Sequence, residues 1–275
     1  MIKLLKNYCL VILVILFPLS TILGYERIVS LAPSITEELY LLDNGDKIIG
    51  VTTFCNYPKE AKQKEKIGTL VEPNIEKIVS LKPDLVLAAS INPAVVIQKL
   101  KQLKVNVIQL KRENSFEDIC DNFIEIGKLT GKEKLAKKII EKNMQNITAI
   151  KNKTKSLNRP KIFLQCGANP LVTVGRNTFE DEIIYLAGGI NIANKNGSGY
   201  FRYSSEEVLK QNPDIIVIET MGIATKEEIK SWNRYKNLKA VKENRIYTID
   251  GDILCRPVPT RFIEGLKKIS ELIQK

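Results

Sequence analysis

Apolar and polar positions along the chain follow two periods. Short apolar runs, the pattern of strands buried on both faces, occur at residues 27–31 (RIVSL), 47–51, 85–88, 105–110, 161–166 (KIFLQC), 215–218 and 245–249 (RIYTI). Between them, apolar residues recur every three or four positions and predict helices over 34–42, 93–103, 178–186 and 261–273. Ser34 and Glu37 have the spacing of a capping box at the first of these. Strand and helix alternate, which predicts an α/β fold of mostly parallel sheets covered on both faces. The alternation stops at Ser115. Residues 116–129 and 132–155 are helical in period with Gly131 between them, and Leu135, Ile139, Ile140, Met144 and Ile147 form one stripe. The stripe is too short and irregular for a sustained coiled coil, so a single long helix bridging two strand-rich halves is expected.

One unit occurs twice. EPNIEKIVSLKPDLVLAAS (72–90) and YSSEEVLKQNPDIIVIET (203–220) each read as a capped short helix, a Pro-Asp stop and a buried strand. Glu76, Pro83 and Asp84 return as Glu206, Pro213 and Asp214 at a constant offset of 130 residues. The repeat predicts two similar α/β lobes, 25–130 and 158–275, joined by the bridging helix 131–157, with one carboxylate at a helix start in each. Taken alone, such a carboxylate is a favourable partner of the helix dipole, worth about 0.3–1 kcal/mol.

Composition narrows the function. With 44% hydrophobic and 27% charged residues in 275, the chain is globular rather than disordered. Residues 1–24 stand apart: Lys3 and Lys6 precede an apolar run over 8–17, then Pro18 and a mixed tail to Gly24. This is the layout of a secretory signal, short for a spanning helix, and places the protein in the periplasm. Ile22 at the −3 position leaves an uncleaved membrane anchor as the alternative, and Cys9 lies too early in the run for a lipidation site. The net charge of +11 suits a nucleic-acid or membrane partner. Most lysines, however, are spread along amphipathic helices among glutamates, as in KEKLAKKIIEKNMQNITAIKNKTK, and no nucleic-acid-binding motif accompanies them. A solvated surface and no nucleic-acid partner are expected.

The chain has no histidine, which removes His-ligated zinc or haem and His-based acid–base catalysis. GxSxG, P-loop and GxGxxG patterns are absent, and the acidic pairs Asp181/Glu182 and Glu227/Glu228 sit in helices of ordinary surface patterning. No enzyme activity and no catalytic cofactor are expected. Cys55, Cys120, Cys166 and Cys255 allow three full disulfide pairings and contain no CxxC. Cys55, Cys166 and Cys255 fall at strand ends or loops where thiolates could ligate a soft metal, but small buried thiols or a disulfide are the plainer reading, and no metal site is expected.

Taken in order, RIVSLAPSITEELYLL, the NYP loop at 56–58, EKIVSLKPDLVL, FLQCGANPLVTVG, LAGGINIA and DGDILCRPVP resemble the periplasmic binding proteins of vitamin B12 and iron-siderophore ABC importers, with the cobalamin branch most similar. The resemblance covers nearly all of the chain after residue 24. It implies a class III binding-protein fold with the ligand in the cleft between lobes, little lobe closure because one stiff helix limits the hinge, and cobalamin as the transported ligand. A ferric siderophore or haem is the alternative within the family, with Arg202 and Arg256 as candidate partners of an anionic chelate. Glu76 and Glu206 match the residues that dock such proteins onto arginines of the membrane permease. For the cleft, loops at the carboxyl ends of strands offer Pro33, Ser34, Phe54, Tyr57, Tyr200, Phe201, Asp252 and Arg256 as ligand-binding residues. Tyr57 matches the family's cleft tyrosine, Tyr200 stands where the B12 binder carries tryptophan, and Leu70 replaces another cleft tryptophan.

Overall fold

The computed structural model describes residues 24–155, 158–220 and 225–275. The export segment read at 1–24 lies, apart from Gly24, outside the described residues. In the first half, β1 (Ile28–Ser30), β2 (Ile48–Val51), β3 (Leu85–Ala88) and β4 (Val107–Gln109) form a fully parallel sheet in the order β2-β1-β3-β4. Its helices are α1 (Pro33–Leu41), α2 (Ile75–Ser80) and α3 (Ala94–Gln102), followed by α4 (Phe116–Leu129). The 22-residue α5 (Glu133–Thr154) then leads to the second half.

There, β5 (Lys161–Ala168) turns back as β6 (Leu171–Val174), and the hairpin is followed by α6 (Phe179–Leu186), β7 (Ile190–Asn191) and β8 (Tyr200–Arg202). Next come α7 (Ser205–Gln211), β9 (Ile215–Thr220), α8 (Thr225–Trp232), α9 (Lys239–Lys242), β10 (Ile246–Asp250), α10 (Gly251–Leu254) and α11 (Pro259–Gln274). The sheet runs β10-β9-β5-β6-β8 with β7 also on β5; β6 is antiparallel to both of its neighbours. The second sheet is therefore mixed. Asn169 and Pro170 form the hairpin turn between β5 and β6, and YFR is strand β8.

The duplicated unit has a structural basis. Asn74 and Ser204 cap α2 and α7 by accepting from the backbone N–H three residues on. Asp84 accepts from the N–H groups of Glu26 and Arg27 at 2.8 and 3.0 Å, just before β1, and Asp214 accepts from Lys161 N at 2.6 Å at the start of β5. In each half, the aspartate after the short helix thus fixes the start of the neighbouring parallel strand. Lys239, 2.6 Å from Asp214, adds a charge in the second half alone.

Burial follows the periods read in the sequence. β3 and the first five residues of β9 are buried throughout, as strands covered on both faces must be. Val29, Ile78, Val86, Ile97 and Leu100 make one core beside α2 and α3, and Phe163, Val208, Ile216, Ile218 and Trp232 make its counterpart. A third cluster is continuous between the halves: Ile28, Leu39 and Leu85 share it with Ile162, Ile215 and Leu266, by way of α4, α5, α6 and α11. The Phe116 and Phe262 rings meet at 4.7 Å within it. This apolar seam restrains motion of one sheet against the other, because sliding it would open packed surface.

One helix start differs from the sequence reading. α1 begins at Pro33 with Ala32 as its unassisted N-cap, so Ser34 is inside the helix and makes no capping box. Proline suits the first helical position because its missing N–H would have no partner there. Glu37 is consequently released for other bonds.

Candidate functional site

The two sheets present the carboxyl ends of their parallel strands to a common cleft, and a cavity of about 700 Å³ lies there. Every parallel strand of the first sheet delivers lining residues just past its end. Ala32, Pro33 and Ser34 follow β1; Phe54 and Asn56 follow β2; Ala89, Ser90 and Ile91 follow β3; Arg112 and Glu113 follow β4. The second half contributes Phe179 from the start of α6, Tyr200 from β8, Thr220 from the end of β9, Asp250 from the end of β10, and Asp252, Cys255, Arg256 and Pro257 after it. Leu70 completes the wall. A smaller, polar cavity of about 400 Å³ continues from Arg112 along Asn114, Asn177, Ser198 and Gly199.

Of the expected ligand residues, Pro33, Ser34, Phe54, Tyr200, Asp252 and Arg256 line the larger cavity. Tyr57 and Phe201 are not among its lining residues. The Tyr57 ring lies under the Arg261 guanidinium at 4.3 Å, drawn there by a cation–π contact. Phe201 follows Tyr200 on a strand, where successive side chains take opposite faces. Its ring covers Gly175 and Gly197, where an added Cβ would sit 2.8 and 2.7 Å from it, and packs on Tyr203 at 5.9 Å. Glu76 and Glu206 lie outside the cavity, each the exposed second residue of its helix.

Arg256 is buried at the cavity edge. Its Nη2 donates to Asn56 Oδ1 and Asp252 Oδ1, both at 2.6 Å, and Asn56 Nδ2 donates in turn to Asp252 Oδ2 at 3.2 Å. Nη1 is 3.5 Å from Glu37 Oε2, an ion pair without hydrogen-bond geometry. Arg261 Nε donates to the other Glu37 oxygen at 2.8 Å. Burial pushes the Glu37 carboxyl up, and the two arginines pull it back part of the way. Asn56, Glu37, Asp252, Arg256 and Arg261 thus tie the halves together at one end of the cleft.

The wall of the second half is acidic. Tyr200 donates a short hydrogen bond to Glu180 Oε1, and the Cys255 thiol donates one to Glu219 Oε1. Glu180 is 1% exposed, and burial pushes its carboxyl up to about 8 even though Tyr200 pulls the other way. Glu219 is raised chiefly by burial, and the Tyr200 phenol and the Cys255 and Cys166 thiols are pushed up by burial and by these carboxyls. On the other side of the cavity Glu113 is raised by burial, and Glu38 behind it is raised by burial and by Glu113 and Glu37.

Two of the cysteines, Cys166 and Cys255, both face Glu219. Cys55 is buried in the first half with Thr36 and Thr52 at 3.1 Å from its sulfur. Cys120 is buried on α4, and burial pushes its thiol up to about 12. Cys55, Cys120 and Cys166 are thiols. Among the described residues no group of three or more His, Cys, Asp or Glu side chains is arranged to hold a metal ion. No helix among them is long and apolar enough to cross a membrane.

Ala89, Ser90, Ile91, Arg112, Glu113, Phe179, Thr220 and the buried pair Glu180 and Glu219 were not singled out from sequence. Residues 89–91 and 112–113 carry a usable signal: they immediately follow two predicted parallel strands. Glu180 and Glu219 carry none, since a glutamate near a helix start or at a strand end is ordinarily solvated.

Residues 28–253 match the sequence pattern of the family described as periplasmic binding protein. The chain is 34% identical over 255 residues to an uncharacterized ABC transporter substrate-binding lipoprotein of Bacillus subtilis, covering 90% of this chain and 80% of that protein. A solved structure described as a possible iron-binding (periplasmic solute-binding) protein from Staphylococcus epidermidis superposes with a TM-score of 0.81 at 34% identity, over 92% of this chain and all of that one. The periplasmic vitamin B12-binding protein of Vibrio cholerae superposes with a TM-score of 0.79 at 28% identity, over 91% and 97% of the two chains.

Proposed function

The chain belongs to the periplasmic binding protein family, and from that premise we propose that it captures a corrinoid, cobalamin or a close relative, in its interlobe cleft and delivers it to the permease of an ABC importer. Its fold is that of the class III binding proteins, and its class is that of ABC-importer substrate-binding proteins. The family is one of transport proteins, and the proposal gives the cleft no chemistry of its own.

The observation that carries the ligand choice is the charge state of the cleft wall. Phe54, Leu70, Ile91, Phe179 and Tyr200 offer apolar and aromatic surface, with Ser34, Asn56, Ser90 and Thr220 as neutral hydrogen-bonding groups between them. A broad macrocycle fringed with amides needs this combination. The buried arginine of the cleft, Arg256, is already engaged by Asp252 and Glu37. The buried carboxyls Glu180 and Glu219 lie behind Tyr200 and Cys255, whose hydroxyl and thiol donate to them. Burial raises both carboxyls, Glu180 to about 8, so this wall offers an anionic ferric chelate neutral groups and no cation. Haem fits less well again: histidine is absent, and the acidic setting of Tyr200 disfavours the phenolate that would ligate iron.

A ferric siderophore is the second reading, favoured by Arg112, which lines both cavities, and by the iron-binding description of the Staphylococcus structure. Delivery rests on Glu76 and Glu206, exposed at equivalent helix starts on the two halves and suited to pair with arginines of a permease.

Titration calorimetry with cyanocobalamin, a ferric hydroxamate and haem tests the ligand. One-to-one binding of cyanocobalamin alone is the expected result. Binding of an iron chelate with no heat from cyanocobalamin would overturn the corrinoid and leave the transport class intact.

A further inference from the structure

Beneath the aromatic wall of the second half lies a carboxyl that the proposed ligand capture does not by itself explain. Glu180 is the second residue of α6 and is 1% exposed. Its Oε1 accepts from the Tyr200 hydroxyl, and its Oε2 has no hydrogen-bond partner. The Tyr200 ring, 49% exposed, lines the cavity. A half-exposed ring on an outer strand is free to swing unless its tip is held, and here the tip is held by a buried acid. The groups facing Glu180 are Tyr200 of β8, Glu219 of β9, Cys166 of β5, and Asp181 of its own helix; Cys255, after α10, faces Glu219. All are neutral or acidic, so the unpartnered oxygen meets no cation among them. This setting favours the protonated carboxyl.

We propose that Glu180 is a positioning residue for ligand capture: it fixes the Tyr200 ring as a flat wall of the cleft, and it is held protonated while a ligand covers that wall. The inference rests on the reading of the cleft as a ligand site. A ligand lying on Tyr200 excludes the water that reaches this wall, and removing water penalises the ionised acid further. Binding therefore raises the proton affinity of Glu180, and by linkage ligand affinity falls once the free protein ionises there. The free carboxyl titrates at about 8, so capture is insensitive to pH below that value and weakens above it. The same wall selects for a ligand face that is uncharged or cationic.

The test has two arms. In the ligand-free protein, the tyrosine ring resonances are followed by NMR from pH 6 to 10, with Tyr200 assigned through Tyr200→Phe. A Tyr200 shift with its midpoint near pH 8, absent in Glu180→Gln, is expected; a Tyr200 signal that does not titrate overturns the pairing. In the second arm, cyanocobalamin affinity is measured across the same range. The wild type is expected to weaken by up to about tenfold per pH unit above the break, Glu180→Gln to follow a flat profile, and Glu180→Leu, which cannot hold the ring tip, to bind more weakly at every pH. A flat wild-type profile, or a Gln variant with the wild-type break, overturns the linkage. Failure of the wild type to bind cyanocobalamin at any pH counts against the corrinoid alone, and the NMR arm still decides the role of Glu180. Circular dichroism of each variant establishes that it is folded.

Discussion

Arg256 reaches from the loop after α10 to Asn56, on the loop after β2, and donates to its Oδ1 at 2.6 Å. This bond joins residues 200 positions apart and closes one end of the cleft. With Glu37 bound by both Arg256 and Arg261, the closure is an ionic and hydrogen-bonded network beside the apolar seam of α4, α5 and α11. Replacing Arg256 by Met removes the donor, leaves Asp252 and Asn56 facing each other, and leaves Glu37 with Arg261 alone. Stripping one partner from a buried network costs more than the net worth of the pair. A loss of about 2–3 kcal/mol is expected in urea unfolding, and an unchanged midpoint would show that the network contributes nothing to holding the halves.

Phe54 and Tyr57 separate ligand contact from packing. They are three residues apart on the same loop, yet Phe54 lines the cavity, while Tyr57 stacks on Arg261. Phe54→Ala removes a 67%-exposed ring from the wall. It is expected to weaken cyanocobalamin binding by about 1 kcal/mol, roughly fivefold, with little change in Tm. Tyr57→Ala is expected to do the reverse, leaving affinity in place and costing about 0.5–1 kcal/mol of stability through the lost cation–π contact. Calorimetry and thermal melts on both variants check the assignment; loss of affinity in Tyr57→Ala alone would reverse it.

These two residues also show how far the sequence could be read. The parallel strands, the long α5 and the repeat around Glu76 and Glu206 were legible because each is local: apolar runs, helical spacing, and Asn or Ser caps three residues from the groups they satisfy. Placing a loop side chain is not local. Tyr57 was drawn away by Arg261, whose partner Glu37 became available only because α1 starts on Pro33 rather than at a Ser34 cap. The segment of Phe201, rich in glycine and asparagine on one side, reads as a loop in the sequence. It pairs with β6 as a strand, and the strand's alternation sends Tyr200 to the cavity and Phe201 to the glycines. Glu180 and Glu219 were invisible for a similar reason: their burial follows from contacts between distant elements, with Tyr200 of β8 over Glu180 and Cys255 beside Glu219.

Glu76 and Glu206 carry the prediction about delivery. Both are exposed, and their helices are capped by Asn74 and Ser204, so charge reversal leaves the caps in place. Glu76→Arg with Glu206→Arg is expected to bind ligand with wild-type affinity and to abolish uptake by vesicles that contain the cognate permease, because two attractive contacts become repulsive. The change at each helix start costs about 1 kcal/mol, too little to unfold the protein. Uptake at the wild-type rate would remove these residues from the docking surface.

Stability should itself depend on pH through the carboxyls under the cleft. Glu180 titrates at about 8 in the folded protein against 4.5 for an ordinary glutamate, because burial penalises its charge. A carboxyl raised in this way binds its proton more tightly when folded than when unfolded. Its contribution is therefore complete below the unfolded value and is lost as pH climbs through the folded one. Glu38, Glu113 and Glu219 are raised by burial too and add to the same slope. Thermal unfolding from pH 5 to 9 should show the wild-type Tm declining across this window. Glu180→Gln keeps a neutral side chain of the same shape, so its Tm should decline less steeply and exceed that of the wild type at pH 9. If the two curves ran parallel, Glu180 would be ionised in both the folded and unfolded chains at neutral pH, and the acidic wall would need a cation to hold it.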